Sequence, residues 1–208
     1  IHTLPQKIRR GSVHRMIQRR RQLCLVFLVF MQASLSAVAE TGLISLEDAL
    51  KTRGTVIMFR HALAPGFGDP SNFQVEDCNT QRNLDARGRE QSQAIGRQFK
   101  TLGFSTDAVY SSPWCRCLET ARLMDIGPVR SSEGLGSFFE GHVDRSQTLK
   151  QLSTQLASIA SARAKPVIMV THQVVINAIT RMGTSSGEAI LYDPTRDESR
   201  RIRLSDND

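Results

Sequence analysis

Past residue 39 the chain holds three histidines, His61, His142 and His172, and two of them share a setting. Thr55-Val-Ile-Met-Phe59 runs into Arg60-His61, and Pro166-Val-Ile-Met-Val-Thr171 runs into His172. Each imidazole therefore follows a short apolar stretch introduced by Gly or Pro, the pattern of a buried strand. One such histidine is ordinarily a satisfied core residue. Two of them, with Arg60 beside the first and Arg116 between them, are harder to explain by packing alone. A guanidinium offers a planar fork of donors that fits phosphate oxygens. A neutral imidazole among positive charges is a nucleophile toward phosphorus, because its protonation is disfavoured. The chemistry these residue types specify is phosphoryl transfer. The competing reading is ordinary ion pairing of Arg60 and Arg116 with carboxylates such as Asp85 or Glu119.

The elements that must position these residues are legible as a series. Ser45-Leu-Glu-Asp48 resembles a capping box that opens a short helix to about Lys51, and Gly54 ends it. A strand at 55–59 follows, then a loop at 62–81 rich in Gly, Pro, Asp and Asn; loops this long are usually functional. Asp85 caps a helix to about Leu102. A strand at 107–111 leads to a helix from about Trp114 to Met124, and residues 146–161 are amphipathic. The strand at 166–172 precedes a helix at 174–182, and 189–192 with 201–204 form a closing hairpin around Asp193-Pro194. Strands alternating with helices argue an α/β domain with a largely parallel central sheet, whose ligands gather at the carboxyl ends of the strands. Arg60-His61, Ser111-Ser112 and Thr171-His172 all fall at such ends.

Four segments in this order resemble the histidine phosphatase superfamily, in its phosphoglycerate mutase-like branch. They are Phe59-Arg60-His61-Ala62, Arg82-Asn83-Leu84-Asp85-Ala86-Arg87-Gly88, Ser111-Ser112-Pro113-Trp114-Cys115-Arg116-Cys117-Leu118-Glu119-Thr120-Ala121 and Val170-Thr171-His172. The resemblance spans roughly 54–183 and implies a three-layer α/β/α sandwich. It makes His61 the nucleophile that becomes phosphohistidine, and Arg60, Arg116 and His172 the lining of the phosphate pocket. No metal and no cofactor are expected, because arginines neutralise the phosphoryl charge. The general acid departs from the family pattern: Gln173 follows His172 where many relatives carry Asp. Phe138-Phe139-Glu140-Gly141 resembles the context in which mutase-like members place a Glu, so Glu140 is the expected acid, with Asp69 and Asp77 in the long loop as alternatives. Ala62 replaces a common Gly, and Phe67 stands at the spacing of a mutase Asn. Substrate preference is therefore expected in loop 62–81, with Phe67, Phe73, Phe138 and Phe139 walling the entrance. His142 lies beyond the matched segments and reads as surface.

Charge and cysteine usage bear on compartment. Lys and Arg number 27 against 20 Asp and Glu, a net charge of +7. Residues 1–39 hold seven bases and no acid, so the remainder is neutral and no nucleic-acid partner is expected. Residues 1–15 read as an upstream extension without structure. From Met16, Arg19–Arg21, the apolar run Leu23–Met31 and Ala37-Val-Ala39 form a signal peptide with cleavage expected after Ala39. The apolar run is short for a membrane span, so no stable insertion of the mature chain is expected. Residues 40–208 then form one catalytic domain, periplasmic or secreted. Export makes Cys78 with Cys115 or Cys117 a candidate disulfide. The expected function is an exported, metal-independent phosphomonoesterase acting on a small-molecule or envelope phosphomonoester. The resemblance also points to the exported phosphatases of lipopolysaccharide core heptose. A catalytically idle phosphate-binding module is the alternative, and a phosphoglycerate-type mutase a more distant one.

Overall fold

The computed structural model describes residues 42–205, and the expected leader at 16–39 and the extension before it lie outside them. The Ser45 hydroxyl accepts from the Asp48 amide at 3.1 Å and donates to the Asp48 carboxylate at 2.7 Å. This pairing opens α1 (Leu46–Lys51) directly after a three-residue strand, β1 (Leu43–Ser45). Next come β2 (Val56–Arg60), α2 (Ala86–Thr101), β3 (Val109–Ser111), α3 (Cys115–Met124) and β4 (Val129–Ser131). The chain finishes with α4 (Arg145–Ala162), β5 (Val167–Thr171), α5 (Gln173–Thr180) and the hairpin β6 (Ala189–Asp193) and β7 (Glu198–Arg203). Asp85 caps α2 by accepting from the Gly88 amide at 2.8 Å, and Asp144 caps α4 through the Gln147 amide at 2.7 Å. Each cap satisfies a donor that the first helical turn leaves open.

The strands form one sheet in the order β1-β7-β6-β2-β5-β3-β4, with only β6 antiparallel to its neighbours. Alternation along each strand feeds two cores. Ile57, Phe59, Val109, Ile168 and Val170 pack with Ile95 and Phe99 of α2 and Ala121 and Met124 of α3. Val56, Met58, Met169 and Ile190 pack with Leu152 and Leu156 of α4 and Val175 and Ile176 of α5. Full burial of side chains of this size contributes about 1.5–3 kcal/mol each, so both helical layers are held by the central strands. The expected three-layer α/β/α sandwich with a largely parallel sheet is the fold. No helix among the described residues is long and apolar enough to cross a membrane.

Register brings the chemistry together. Arg60 pairs with Thr171 and Ser111 with Val170. The His61 amide donates to the Thr171 carbonyl at 2.9 Å, and the Ser112 amide to the Val170 carbonyl at 2.9 Å. The carboxyl ends of β2, β3 and β5 are thus locked side by side.

Candidate active site

A cavity of about 270 Å³ opens at those strand ends, lined among others by Arg60, His61, Arg82, Arg116, His172 and Gln173. His61 is 3% exposed, and its Nδ1 lies 2.8 Å from the Ala62 carbonyl oxygen. A carbonyl only accepts, so Nδ1 carries the proton and Nε2 keeps the lone pair. Burial, then the charge of Arg116, with Arg82 and Arg60 adding to it, push the His61 pKa down to about 3 despite the favourable carbonyl contact. The ring is neutral at ordinary pH.

His172, the residue before α5, sits edge-on to His61 with ring centroids 5.5 Å apart. Its Nε2 is 2.8 Å from the Ser112 hydroxyl, which itself accepts from the Trp114 amide at 3.3 Å. A serine proton directed to Nε2 leaves the histidine N–H on Nδ1. Burial, then Arg116 and His61, hold this imidazole well below the ordinary range too. Cys117, the thiol next to it, is buried and pushed up to about 12 by burial, so it is inert.

The arginines are held by part of their donor sets. Arg60 gives Nη1 to Gln173 Oε1 at 3.0 Å and to the Thr184 carbonyl at 2.7 Å. Arg116 gives Nη1 to Asp69 at 2.7 Å and to the Arg82 carbonyl at 3.3 Å, and Nη2 to the other Asp69 oxygen at 3.1 Å. The Nε of each is buried and has no partner. The carboxylates expected to compete for these arginines are engaged elsewhere, Asp85 by Arg87 and Glu119 by Arg89. Arg82 also lines the cavity, bonding the carbonyls of Ala64 and Gly68. The sequence singled it out only as part of a motif.

The three candidate acids have separate fates. The Asp69 side chain is 3% exposed, and its two oxygens accept from Arg116, Arg82 and Trp114, filling all four acceptor positions. Burial works to raise its pKa, but the bonds from Arg116, the Arg82 amide and Trp114 outweigh it and hold the carboxyl ionised. Asp69 is the anchor of Arg116. Asp77 caps the turn Cys78–Thr80 through the Asn79 amide at 3.0 Å, and is not part of the cavity lining. Glu140 is half-exposed and not among the lining residues of the cavity; its carboxylate accepts from the Asp69 amide at 3.0 Å and packs against Gly68, both of which line it. His142, read from the sequence as surface, is instead largely buried. It stacks on Phe73 at 4.2 Å, with Nε2 3.6 Å from Glu140, because Phe73 and Trp114 build an aromatic shelf beneath it. Asp69, Glu140 and His142 bring ligand atoms within 4.8 Å of one another, but the filled acceptor positions of Asp69 make this a poor metal set.

Loop 62–81 is tied to α3 a second time by a disulfide between Cys78 and Cys115, with Cα atoms 5.7 Å apart. Of the two pairings left open by the sequence, this is the one formed.

Unpartnered guanidinium nitrogens beside a neutral imidazole with a free Nε2 suit a tetrahedral oxyanion, so the class is a phosphoryl-handling α/β enzyme. Residues 56–150 match the model of the histidine phosphatase superfamily (branch 1), and this match supports a phosphoric monoester hydrolase activity. Among solved structures it is similar to the mycobacterial glucosyl-3-phosphoglycerate phosphatase, at 15% identity over 72% of this chain and 96% of that one, with a TM-score of 0.50. A putative phosphohistidine phosphatase SixA from Agrobacterium tumefaciens is 19% identical over 74% and 99%, with a TM-score of 0.48. A putative alpha-ribazole-5'-P phosphatase from Escherichia coli is 18% identical over 73% and 96%, with a TM-score of 0.49. The likeness to the mycobacterial structure is one of fold. No curated protein matches in sequence.

Proposed function

We propose that the chain is an exported phosphatase that hydrolyses phosphomonoesters through a phosphohistidine on His61, without a metal. The observation that carries this reading is the pair of buried, unpartnered Nε atoms of Arg60 and Arg116 beside a neutral His61 whose Nδ1 is fixed by a carbonyl. His61 Nε2 attacks phosphorus while Arg60, Arg116 and the Nδ1–H of His172 take the phosphoryl oxygens. The P–O bond to the alcohol breaks, and the leaving oxygen takes a proton from Glu140. Water then attacks the P–N bond, returning a proton to Glu140 and releasing phosphate and neutral His61. Positioning and preorganised charge dominate such a reaction. Glu140 is preferred to Asp69, which is held ionised by Arg116, and to Asp77, which serves as a cap.

Export rests on the basic segment, apolar run and Ala37-Val-Ala39, with cleavage after Ala39 and a periplasmic or secreted domain. The Cys78–Cys115 disulfide supports an oxidising compartment. There the substrate is a small or envelope phosphomonoester.

The test uses purified residues 40–208 with EDTA present. Wild type should turn over phenyl phosphate and yield an acid-labile phosphoenzyme, and His61→Ala should do neither. Folded wild type that binds phosphate without turnover would favour the idle binding module, a reading that gains from the absence of Glu140 from the cavity lining. A loss of rate in EDTA restored by zinc or magnesium would overturn metal independence.

A further inference from the structure

The mouth of the cavity carries two large hydrophobic side chains that folding leaves in water. Phe67 is 87% exposed and Phe139 is 37% exposed, both line the cavity, and their rings meet edge to face at 5.2 Å. The exposure of Phe67 does not come from slack chain. Gly66 and Gly68 on either side adopt φ of +94° and +67°, which only glycine takes readily, and so turn the intervening residue outward. Arg82 ties this turn down through the carbonyls of Ala64 and Gly68. Glu140 packs against it, where a Cβ on residue 68 would collide with its carboxylate. Phe139 comes from the neighbouring turn, Phe139–Gly141, in which Glu140 takes φ of 63°. Two separately braced loops thus each present a ring to the same opening.

The charge distribution of the lining says what those rings meet. All three cations, Arg60, Arg82 and Arg116, belong to the walls around His61, where the phosphoryl group would sit. Apart from the two histidines and Asp69, the remaining lining residues are Gly66, Phe67, Gly68, Ser137, Phe139, Gln173 and Val174, which bring no further positive charge, and the Glu140 carboxylate accepts from the Asp69 amide beside them. Among these lining residues a leaving group bearing its own carboxylate or phosphate would find no counter-charge.

We infer that Phe67 and Phe139 form a leaving-group subsite that selects phosphomonoesters of alcohols carrying a flat, uncharged ring. This inference rests on the phosphatase reading for the site's chemistry but not for the subsite's binding preference. An aromatic ring has the shape and polarity to complete an edge-to-face or offset contact with this pair. The ring lies at the entrance while the phosphoryl group occupies the cationic floor.

The experiment compares substrates with the same kind of primary alkoxide, so that intrinsic reactivity does not decide the outcome. Wild type should hydrolyse 2-phenylethyl phosphate with kcat/KM about tenfold above ethyl phosphate, and 3-phosphoglycerate no better than ethyl phosphate. In Phe67→Ala/Phe139→Ala the preference for 2-phenylethyl phosphate over ethyl phosphate should shrink to about twofold. Calorimetric binding of 2-phenylethylphosphonate and ethylphosphonate to both proteins is measured in parallel, because neither analogue can be hydrolysed. A tenfold binding preference that disappears in the double variant upholds the subsite even without turnover of any ester, an outcome that would overturn the phosphatase reading alone. Equal phosphonate affinities in wild type, or a preference that survives in the double variant, overturn the subsite whatever the turnover.

Discussion

Replacing Asp69 by Asn keeps the shape of the side chain and removes its charge, which separates an anchoring role from an acid's role. The Asp69 and Arg116 side chains are 3% and 4% exposed and joined by two hydrogen bonds of 2.7 and 3.1 Å. The variant leaves the guanidinium buried without a counter-charge. It also sets an amide NH₂ against a donor, since Arg116 Nη1, Arg116 Nη2 and Trp114 Nε1 all point at the present carboxylate. Breaking one side of a buried pair costs about 3–5 kcal/mol. In a domain of this length each kcal/mol moves Tm by about 2–4 °C, so thermal unfolding should shift down by about 6–20 °C. Phosphate should recover part of that loss, because a dianion restores the missing negative charge beside Arg116. A tenfold gain in phosphate affinity would add about 1.4 kcal/mol of stabilisation at saturation. The assay is a pair of melting curves, wild type and variant, each with and without saturating phosphate. A Tm loss below about 3 °C, or phosphate that stabilises the variant no more than wild type, refutes the assignment of Asp69 as the counter-charge of Arg116.

The two buried histidines predict a pH dependence of stability. His61 protonates at about 3 in the native state and near 6.5 when unfolded, with His172 shifted the same way, so the unfolded chain binds more protons between those limits. Stability is complete above pH 6.5 and falls as pH drops through that window, by at most about 1.4 kcal/mol per pH unit for each histidine. Denaturant midpoints at pH 7, 6 and 5 should fall more steeply for wild type than for His61→Gln, and equal slopes would contradict the shift. Glu140→Gln should reduce kcat for ethyl phosphate by about 10²–10⁴ and barely affect nitrophenyl phosphate, whose leaving group needs no proton; equal losses on both would remove Glu140 as the acid. Reducing Cys78–Cys115, which closes a separation of 37 residues, should cost about 4 kcal/mol in the chain-entropy picture. A Tm unchanged by reductant would show that the bridge contributes nothing to the folded domain.

What was readable in the sequence was local. The runs before His61 and His172 are apolar on both faces, as strands covered by helices must be, and the caps at Ser45 and Asp85 lie within three residues of their partners. Strands β1 and β4 escaped notice because each is only three residues long, too short to show an alternation. The pairing of Arg116 with Asp69 joins positions 47 apart, and a long loop gives no periodicity from which to infer it. The burial of His142 depends on Phe73 reaching Trp114, another contact made only by tertiary folding. The disulfide was visible as one of two pairings, but choosing between them needed the turn at Cys78 and the start of α3 to be brought to one place.

The cation-rich floor of the cavity has a consequence for throughput. Three guanidiniums and the Asp69 carboxylate give it a net charge of +2 while both imidazoles remain neutral. A phosphate monoester near neutrality carries a nearly matching charge of about −1.5 to −2, and so does the inorganic phosphate released by hydrolysis. The floor therefore holds product almost as firmly as the reacting end of the substrate, and ambient phosphate competes for every vacant site. On the phosphatase reading, inhibition by phosphate is the expected result, and the advantage of substrate over product is left to contacts made outside the floor.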